Sequence, residues 1–181
     1  MSRKYKFYNL EGLYFVSFAT INWIDVFTRD DYLGCITESL EYCRKYKGME
    51  IYGYCIMPSH FHLIFRSSLG DPSGLIRDFK GFTSRKMLKI IEENPQESRR
   101  EWMLWMFERA GKKNSNVKHR QFWQQNNKPI ELWSPEVIGQ KVDYIHNNPV
   151  ESGFVLEPWH WKYSSAIDYS GGKGIIEIDL T

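Results

Sequence analysis

The apolar positions change period several times along the chain. Residues 13 to 20 (LYFVSFAT) are apolar, β-branched or aromatic almost throughout and predict a buried strand. Leu33, Ile36, Leu40 and Cys43 then recur at helical spacing and predict a helix over Asp30 to Lys47. Thr28 and Asp31 form a candidate capping box ahead of it, and Gly48 is its stop. Met49 to Met57 and His60 to Ser67 predict two strands joined through Pro58-Ser59. Asp71-Pro72 opens a second helix that carries Leu75, Ile76, Phe79, Phe82, Met87, Ile90 and Ile91 and ends near Asn94-Pro95. Glu97 to Ala110 is read as a further helix, Gly111 to His119 as a polar loop, and Gln121 to Leu132 as an irregular strand or bent hairpin. Ser134-Pro135-Glu136 combines an N-cap, a first-turn proline and an acid favoured by the helix dipole. That helix is expected to run to about Asn148, because Pro149 disfavours helix in the residue before it. After Gly171-Gly172 the tail ends in a strand-like GIIEIDL. The order β-α-β-β-α-(α)-β-α predicts an α+β fold, an antiparallel sheet with helices mainly on one face.

Length and composition narrow this further. At 181 residues the chain reads as one domain over 1–181, with a polar insertion at about 97–119 and a C-terminal tail at about 171–181. Hydrophobic residues at 42% and charged residues at 25% are globular values. No apolar run approaches the roughly 20 residues of a membrane span, and no cleavable signal sequence is evident, so a cytoplasmic location with no membrane partner is expected. Cys35, Cys43 and Cys55 are then reduced thiols, too scattered to form a metal box. The net charge of +2 hides an asymmetry. Residues 76 to 128 hold 13 Lys/Arg against 6 Asp/Glu, whereas residues 129 to 181 hold 3 against 8. A basic block suits an anionic partner such as nucleic acid, or is simply a solvated helix face. With 7 Trp, 11 Tyr and 11 Phe, some rings are available to stack on unpaired bases, while most belong to a core.

Two residue groups carry candidate chemistry. In a strand His60 and His62 point to the same face, while Phe61, Leu63 and Phe65 point into the other layer. Two neutral imidazoles on one face are half of a metal site. Tyr144 and Asn148 lie four apart on the last helix and share a side. A tyrosine hydroxyl is a covalent nucleophile in some enzymes, and an amide oxygen one turn away is a ligand for a hard cation. His146 falls on roughly the opposite side of that helix. Among its charged residues only Lys141 shares the Tyr144 side, as a phosphate-orienting group or an ordinary solvent-facing lysine.

Taken together, Met57-Pro58-Ser59-His60-Phe61-His62-Leu63-Ile64 and the downstream Tyr144-Ile145-His146-Asn147-Asn148-Pro149-Val150 resemble the REP-associated tyrosine transposases, part of the HUH-type single-strand insertion-sequence transposases. Trp159-His160-Trp161-Lys162-Tyr163-Ser164-Ser165-Ala166 is similar to that family's tail motif, and Phe79-Lys80-Gly81-Phe82-Thr83-Ser84 to a stretch of its second helix. The likeness runs over about residues 10 to 170; the long polar segment Glu97 to His119 departs from it. The resemblance implies a ferredoxin-like or RRM-like fold. It also implies a divalent cation, Mg²⁺ or Mn²⁺, held by His60, His62 and Asn148. Tyr144 would cleave single-stranded, hairpin-bearing DNA and keep a 5′-phosphotyrosine. DNA contacts are then expected from Lys80, Arg85, Lys86, Lys112, Lys113, Lys118 and Arg120. Both a single chain and a homodimer are compatible with the family.

Three other readings compete. A non-catalytic nucleic-acid-binding module would display stacking rings such as Tyr52 and Tyr54, but lacks the ring motif of RNA-binding sheets and leaves the histidine pair without a role. A two-histidine phosphoesterase needs two H-x-T/S motifs, and the chain has a single H-x-H. A domesticated, inactive relative would be free to lose His60, His62, Tyr144 or Asn148, all of which are present.

Overall fold

A computed structural model describes residues 6–115, 117, 119–125 and 127–179. Four strands, β1 (Tyr14–Ala19), β2 (Met49–Ile56), β3 (His60–Ser67) and β4 (Ile130–Glu131), form one sheet in the order β2-β3-β1-β4. Every neighbouring pair is antiparallel. The helices are α1 (Asp30–Lys47), α2 (Pro72–Glu93), α3 (Arg100–Lys112), α4 (Pro135–Glu151) and the short α5 (Ala166–Tyr169). This is the α+β sheet-and-helix arrangement that the sequence predicts.

The period-two pattern of the strands divides the packing into two layers. Val16, Phe18, Phe61, Leu63 and Phe65 face α1, α2 and α3 and join Leu40, Phe79, Met87, Met103 and Phe107 in the larger core. Phe15, Cys55 and Ile64 face the other way and pack against Val142 and Ile145 of α4. Gly53 permits the close approach of α4, since a Cβ at that position would stand 3.1 Å from Ile145 Cδ1. The three cysteines are free and buried, and burial pushes the Cys55 thiol up to about 12, so none is a reactive thiolate.

Local signals explain most helix ends. Gly48 closes α1 in the left-handed conformation at φ 67. The Asp71 carboxylate accepts from Gly74 N at 2.7 Å, with Pro72 in the first turn of α2. Ser134 caps α4 by accepting from Val137 N.

Three expectations are corrected. The N-cap of α1 is Arg29, without a side-chain cap, because Thr28 instead accepts from Arg99 Nη2 at 3.3 Å. Helix α4 runs through Pro149 to Glu151. The proline removes a single N–H, and the turn is closed beyond it by Ser152 N to Asn148 O and Phe154 N to Pro149 O. The 174–179 tail forms no strand. A bulge between Ile51 and Gly53 interrupts β2, and Asp179 alone satisfies Ile51, donating its N–H to Ile51 O and accepting from Ile51 N at 2.9 Å.

The segment starting at Glu97 is built into the fold. Glu97 is 4% exposed and accepts from Arg29 Nε, Tyr32 Oη and three Arg99 N–H groups, which ties α1 to the start of α3. Burial alone would raise its carboxyl, but Arg99 and Arg29 outweigh that and hold it near 2, far below its ordinary 4.5. A depressed carboxyl stabilises the fold above about pH 4.5 and loses that contribution as pH falls toward 2. Glu97→Gln should therefore cost on the order of 3 kcal/mol at neutral pH. In urea unfolding followed against pH, the gap between wild type and variant should close between about pH 4.5 and 2.

Candidate active site

The strand register brings the two histidines to the α4 side of the sheet. Ala19 pairs with His60, Ser17 with His62 and Phe15 with Ile64. In an antiparallel sheet directly opposed residues share a face, so Ser17, His60 and His62 form a polar island in an otherwise apolar layer. The imidazole centroids lie 5.0 Å apart. Phe15 stacks on His62 at 5.4 Å. The Ser17 hydroxyl stands 2.8 Å from His62 Nδ1, and the Ser59 hydroxyl 3.2 Å from His60 Nδ1. With both Nδ1 atoms occupied, each ring presents Nε2 to the space under α4.

Tyr144 and Asn148 reach that space from α4. The Tyr144 ring meets His62 at 5.3 Å and Phe15 at 6.0 Å, edge to face. The Asn148 side chain lies beside His60 and pulls its pKa upward. Tyr144 is 43% exposed, so its ring is open to a strand arriving from solvent. Lys141, one turn earlier, holds its ammonium 5.1 Å from the Tyr144 ring centre and 5.0 Å from that of Phe15. His146 points the other way, as its position two residues from Tyr144 requires. It lies 2.8 Å from Ser165 Oγ, and Ser165 in turn pairs with both backbone groups of Tyr54 on β2. The tail motif is thereby explained. Trp161 Nε1 donates to Ile56 O, Tyr163 O accepts from Ile56 N, and Ser164 and Ser165 are fully buried against β2.

Burial sets the electrostatics. Desolvation, then the neighbouring His60 and Lys141, push His62 down to about 3. Desolvation also lowers His60, against the opposing pull of Asn148 and Asp25. Both rings are therefore neutral at pH 7, with lone pairs available. His62 Nε2 is buried and has no hydrogen-bond partner among the described residues. No cluster of three His, Cys, Asp or Glu is found among the described residues, so the donor set is two imidazole nitrogens with an amide beside them. That set leaves most positions around a divalent cation open to water or substrate oxygens.

The predicted basic residues do not form one surface. Arg85, Lys112 and Arg120 line a groove of about 1350 Å³ between α2, α3 and the 119–125 segment. It lies on the face of the sheet opposite α4. Lys80 also borders it, but its ammonium is tied to Gln124 O at 2.7 Å and Asn127 Oδ1 at 2.8 Å, and burial pushes it down to about 8. This corrects the expectation of a DNA-facing lysine: Lys80 staples the 121–127 segment to α2. Lys86 turns into the α1–α2 groove and pairs with Glu38 at 2.9 Å. Lys113 lines an adjoining groove beside Asn22, and Lys118 lies outside the described residues.

Sequence reasoning missed Ser17, Ser59, Phe15 and Trp23. Ser17 is the lone hydroxyl within an apolar strand, which is a signal, but only the register with His62 gives it a partner. Trp23 packs edge-on against His60 at 5.1 Å. Asn22 and Trp23 are consecutive non-glycine residues with φ 54 and 55, a conformation that costs on the order of 1–3 kcal/mol each. Lys80→Met should lower unfolding free energy by about 1–3 kcal/mol, because it leaves a carbonyl and an amide without their donor. Arg85→Ala, at an exposed site, should change it by less than about 0.5 kcal/mol, and chemical denaturation of the pair checks both.

Among the described residues, no helix is long and apolar enough to cross a membrane. The chain is 23% identical over 154 residues to a Haemophilus influenzae protein described as a REP-associated tyrosine transposase, a match covering 85% of this chain and 79% of that one. Its fold superposes with a TM-score of 0.61 on a REP-associated tyrosine transposase bound to a REP hairpin, at 18% identity, covering 100% of this chain and 94% of the other. The four-stranded antiparallel sheet and its helices are those of that fold. Residues 13–110, from β1 to the last turns of α3 and including both histidines, match the model of the IS200-like transposases, so the chain belongs to the IS200-like transposase family.

Proposed function

We propose that the protein is a single-strand DNA transposase-type nuclease that cleaves and rejoins hairpin-bearing DNA, with Tyr144 as its nucleophile. The observation that carries this reading is the contact of the Tyr144 ring with His62, on the sheet face that also holds His60, with Asn148 of α4 beside it. In the cleavage step Tyr144 Oη attacks the scissile phosphorus and loses its proton to solvent. The bond from phosphorus to the 3′ oxygen breaks, and that oxygen takes up a proton as a free 3′-OH. The product is a 5′-phosphotyrosine, a phosphodiester that keeps the energy of the broken bond. Attack by another strand's 3′-OH reverses the sequence and releases the tyrosine, so rejoining needs no nucleotide cofactor. Lys141 is placed to pair with a phosphate oxygen beside the ring.

His60, His62 and Asn148 are the residues that would hold Mg²⁺ or Mn²⁺. The orphaned His62 Nε2 and two neutral imidazoles support that fit, and the nitrogen-rich set favours Mn²⁺ of the two. A cation there supplies Lewis-acid polarisation of the scissile phosphate. The likeness to a transposase bound to a REP hairpin supports hairpin DNA as substrate, and the Arg85, Lys112 and Arg120 groove supplies positive charge for its backbone.

Incubation with single-stranded oligonucleotides that carry hairpins and natural flanks should give a protein–DNA adduct stable to denaturing gels, mapped by mass spectrometry to the Tyr144 peptide. Tyr144→Phe removes one hydroxyl from a half-exposed ring; it should bind DNA as wild type does and form no adduct. An active Tyr144→Phe enzyme would overturn the assignment and point to hydrolysis by water. Chelation or His62→Ala should abolish adduct formation and leave the DNA affinity, with Mn²⁺ restoring only the chelated wild type. DNA affinity should fall steeply with salt, and Arg85→Ala should reduce the slope by about 1.

A further inference from the structure

The turn that follows β1 holds an indole where the fold itself has no use for one. Ile21 and Ile24 are buried on either side of it, and the two residues between them, Asn22 and Trp23, are thrown outward with left-handed backbones. The turn cannot relax. Thr20 Oγ1 donates to Ile24 O at 2.8 Å, Thr20 N donates to Ser59 O at 3.0 Å, Ile21 N donates to Phe122 O, and Gln124 Nε2 donates to Thr20 O. Trp23 is nevertheless 57% exposed, and among the described residues its ring meets one other, the edge of His60. Asn22 suits these angles, but a turn selected for stability would carry glycine or asparagine at position 23 as well, with a polar side chain in that exposure.

The surroundings indicate what the indole meets. Asn22 lines a polar groove of about 720 Å³ together with Arg109, Lys113, Gln121, Gln124 and Gln125. This groove shares its three glutamines with the basic groove of Arg85, Lys112 and Arg120. The two grooves thus adjoin through amide side chains that can pair with base edges, and the second ends at Asn22, the chain neighbour of the exposed ring beside His60. Resting on the single-strand transposase reading above, we infer that Trp23 is a stacking platform for an unpaired base of the strand that flanks the hairpin, one that sets which phosphate stops at Tyr144. It is a positioning residue: it touches the base, and the cation ligands and the nucleophile do the chemistry. Base stacking is sequence-tolerant because every base has a π-face, so specificity along these grooves falls to the amides.

The test needs no knowledge of the natural hairpin. The full-length protein is cross-linked by near-ultraviolet light to a twenty-nucleotide oligothymidine carrying 5-iodouracil, with unlabelled oligothymidine or an abasic deoxyribose-phosphate strand of equal length as competitor. The cross-link should map to Trp23, and oligothymidine should compete while the abasic strand competes weakly. Trp23→Ala should weaken oligothymidine binding about tenfold and leave abasic-strand binding unchanged, and Trp23→Phe should keep most of the affinity. The abasic strand also reports whether each variant is folded. Wild-type affinity in Trp23→Ala, equal losses on both strands, or cross-links confined to other rings would overturn the inference and leave the transposase reading standing. Failure of the wild-type protein to bind single strands at all would overturn both.

Discussion

The position of Tyr144 depends on how α4 is fastened to the sheet. Successive residues on a helix are rotated by about 100°, so a one-residue slip would carry the phenol out of reach of His62. Two contacts prevent it. Gly53 lets Ile145 pack down onto β2, and His146 reaches Ser165, which is itself paired with Tyr54 on both sides of its peptide. Adjacent residues on one helix thus divide the work: 145 and 146 fix the angle, and 144 is what the angle aims. Burial pushes His146 down to about 4, which keeps it neutral at pH 7 and able to share a hydrogen bond with a hydroxyl inside a dry interface.

The same dryness prepares the histidine pair. A polar island in an apolar layer is costly unless its groups are partnered. Ser17 and Ser59 partner the Nδ1 atoms; the sheet register sets the first across from His62, and the turn between β2 and β3 sets the second beside His60. What is left over is Nε2, neutral because desolvation disfavours the imidazolium. Phe15 covers one flank of His62 and Lys141 stands over Phe15, so the pair presents neutral rings with lone pairs rather than imidazolium charge.

Much of this was legible in the sequence because it depends on local period. The i, i+2 spacing of His60 and His62 and the i, i+4 spacing of Tyr144 and Asn148 put each pair on one side of its element, and the bounds of α1, β3 and the start of α2 follow from apolar repeats and caps. What was not legible depends on partners far along the chain. Lys80 reads as one more lysine of a basic helix, yet the chain returns 44 residues later to place the Gln124 carbonyl over it. Thr28 reads as a cap, yet Arg99 claims it. Pro149 reads as a helix stop, but a proline near a C-terminus removes only one bond, and burial of its ring offsets the loss. Nothing in the sequence marks Trp23, because its strain and its neighbour both arise from the closing of a turn.

Thr20 joins the two halves of this arrangement. It is fully buried; its hydroxyl reaches the carbonyl of Ser59, whose own hydroxyl meets His60, and its carbonyl accepts from Gln124 of the amide-lined groove. A displacement of the groove wall therefore cannot occur without moving the residue that orients the first histidine. Strained backbone persists only where its surroundings over-determine it. The bonds of the Thr20 hydroxyl and N–H, Ile21 N and Gln124 Nε2, with two buried isoleucines, meet that condition around a five-residue turn. The strain at Asn22 and Trp23 is thus the local consequence of binding one rigid corner at once to the strand that carries the histidines and to the segment that Lys80 staples in place.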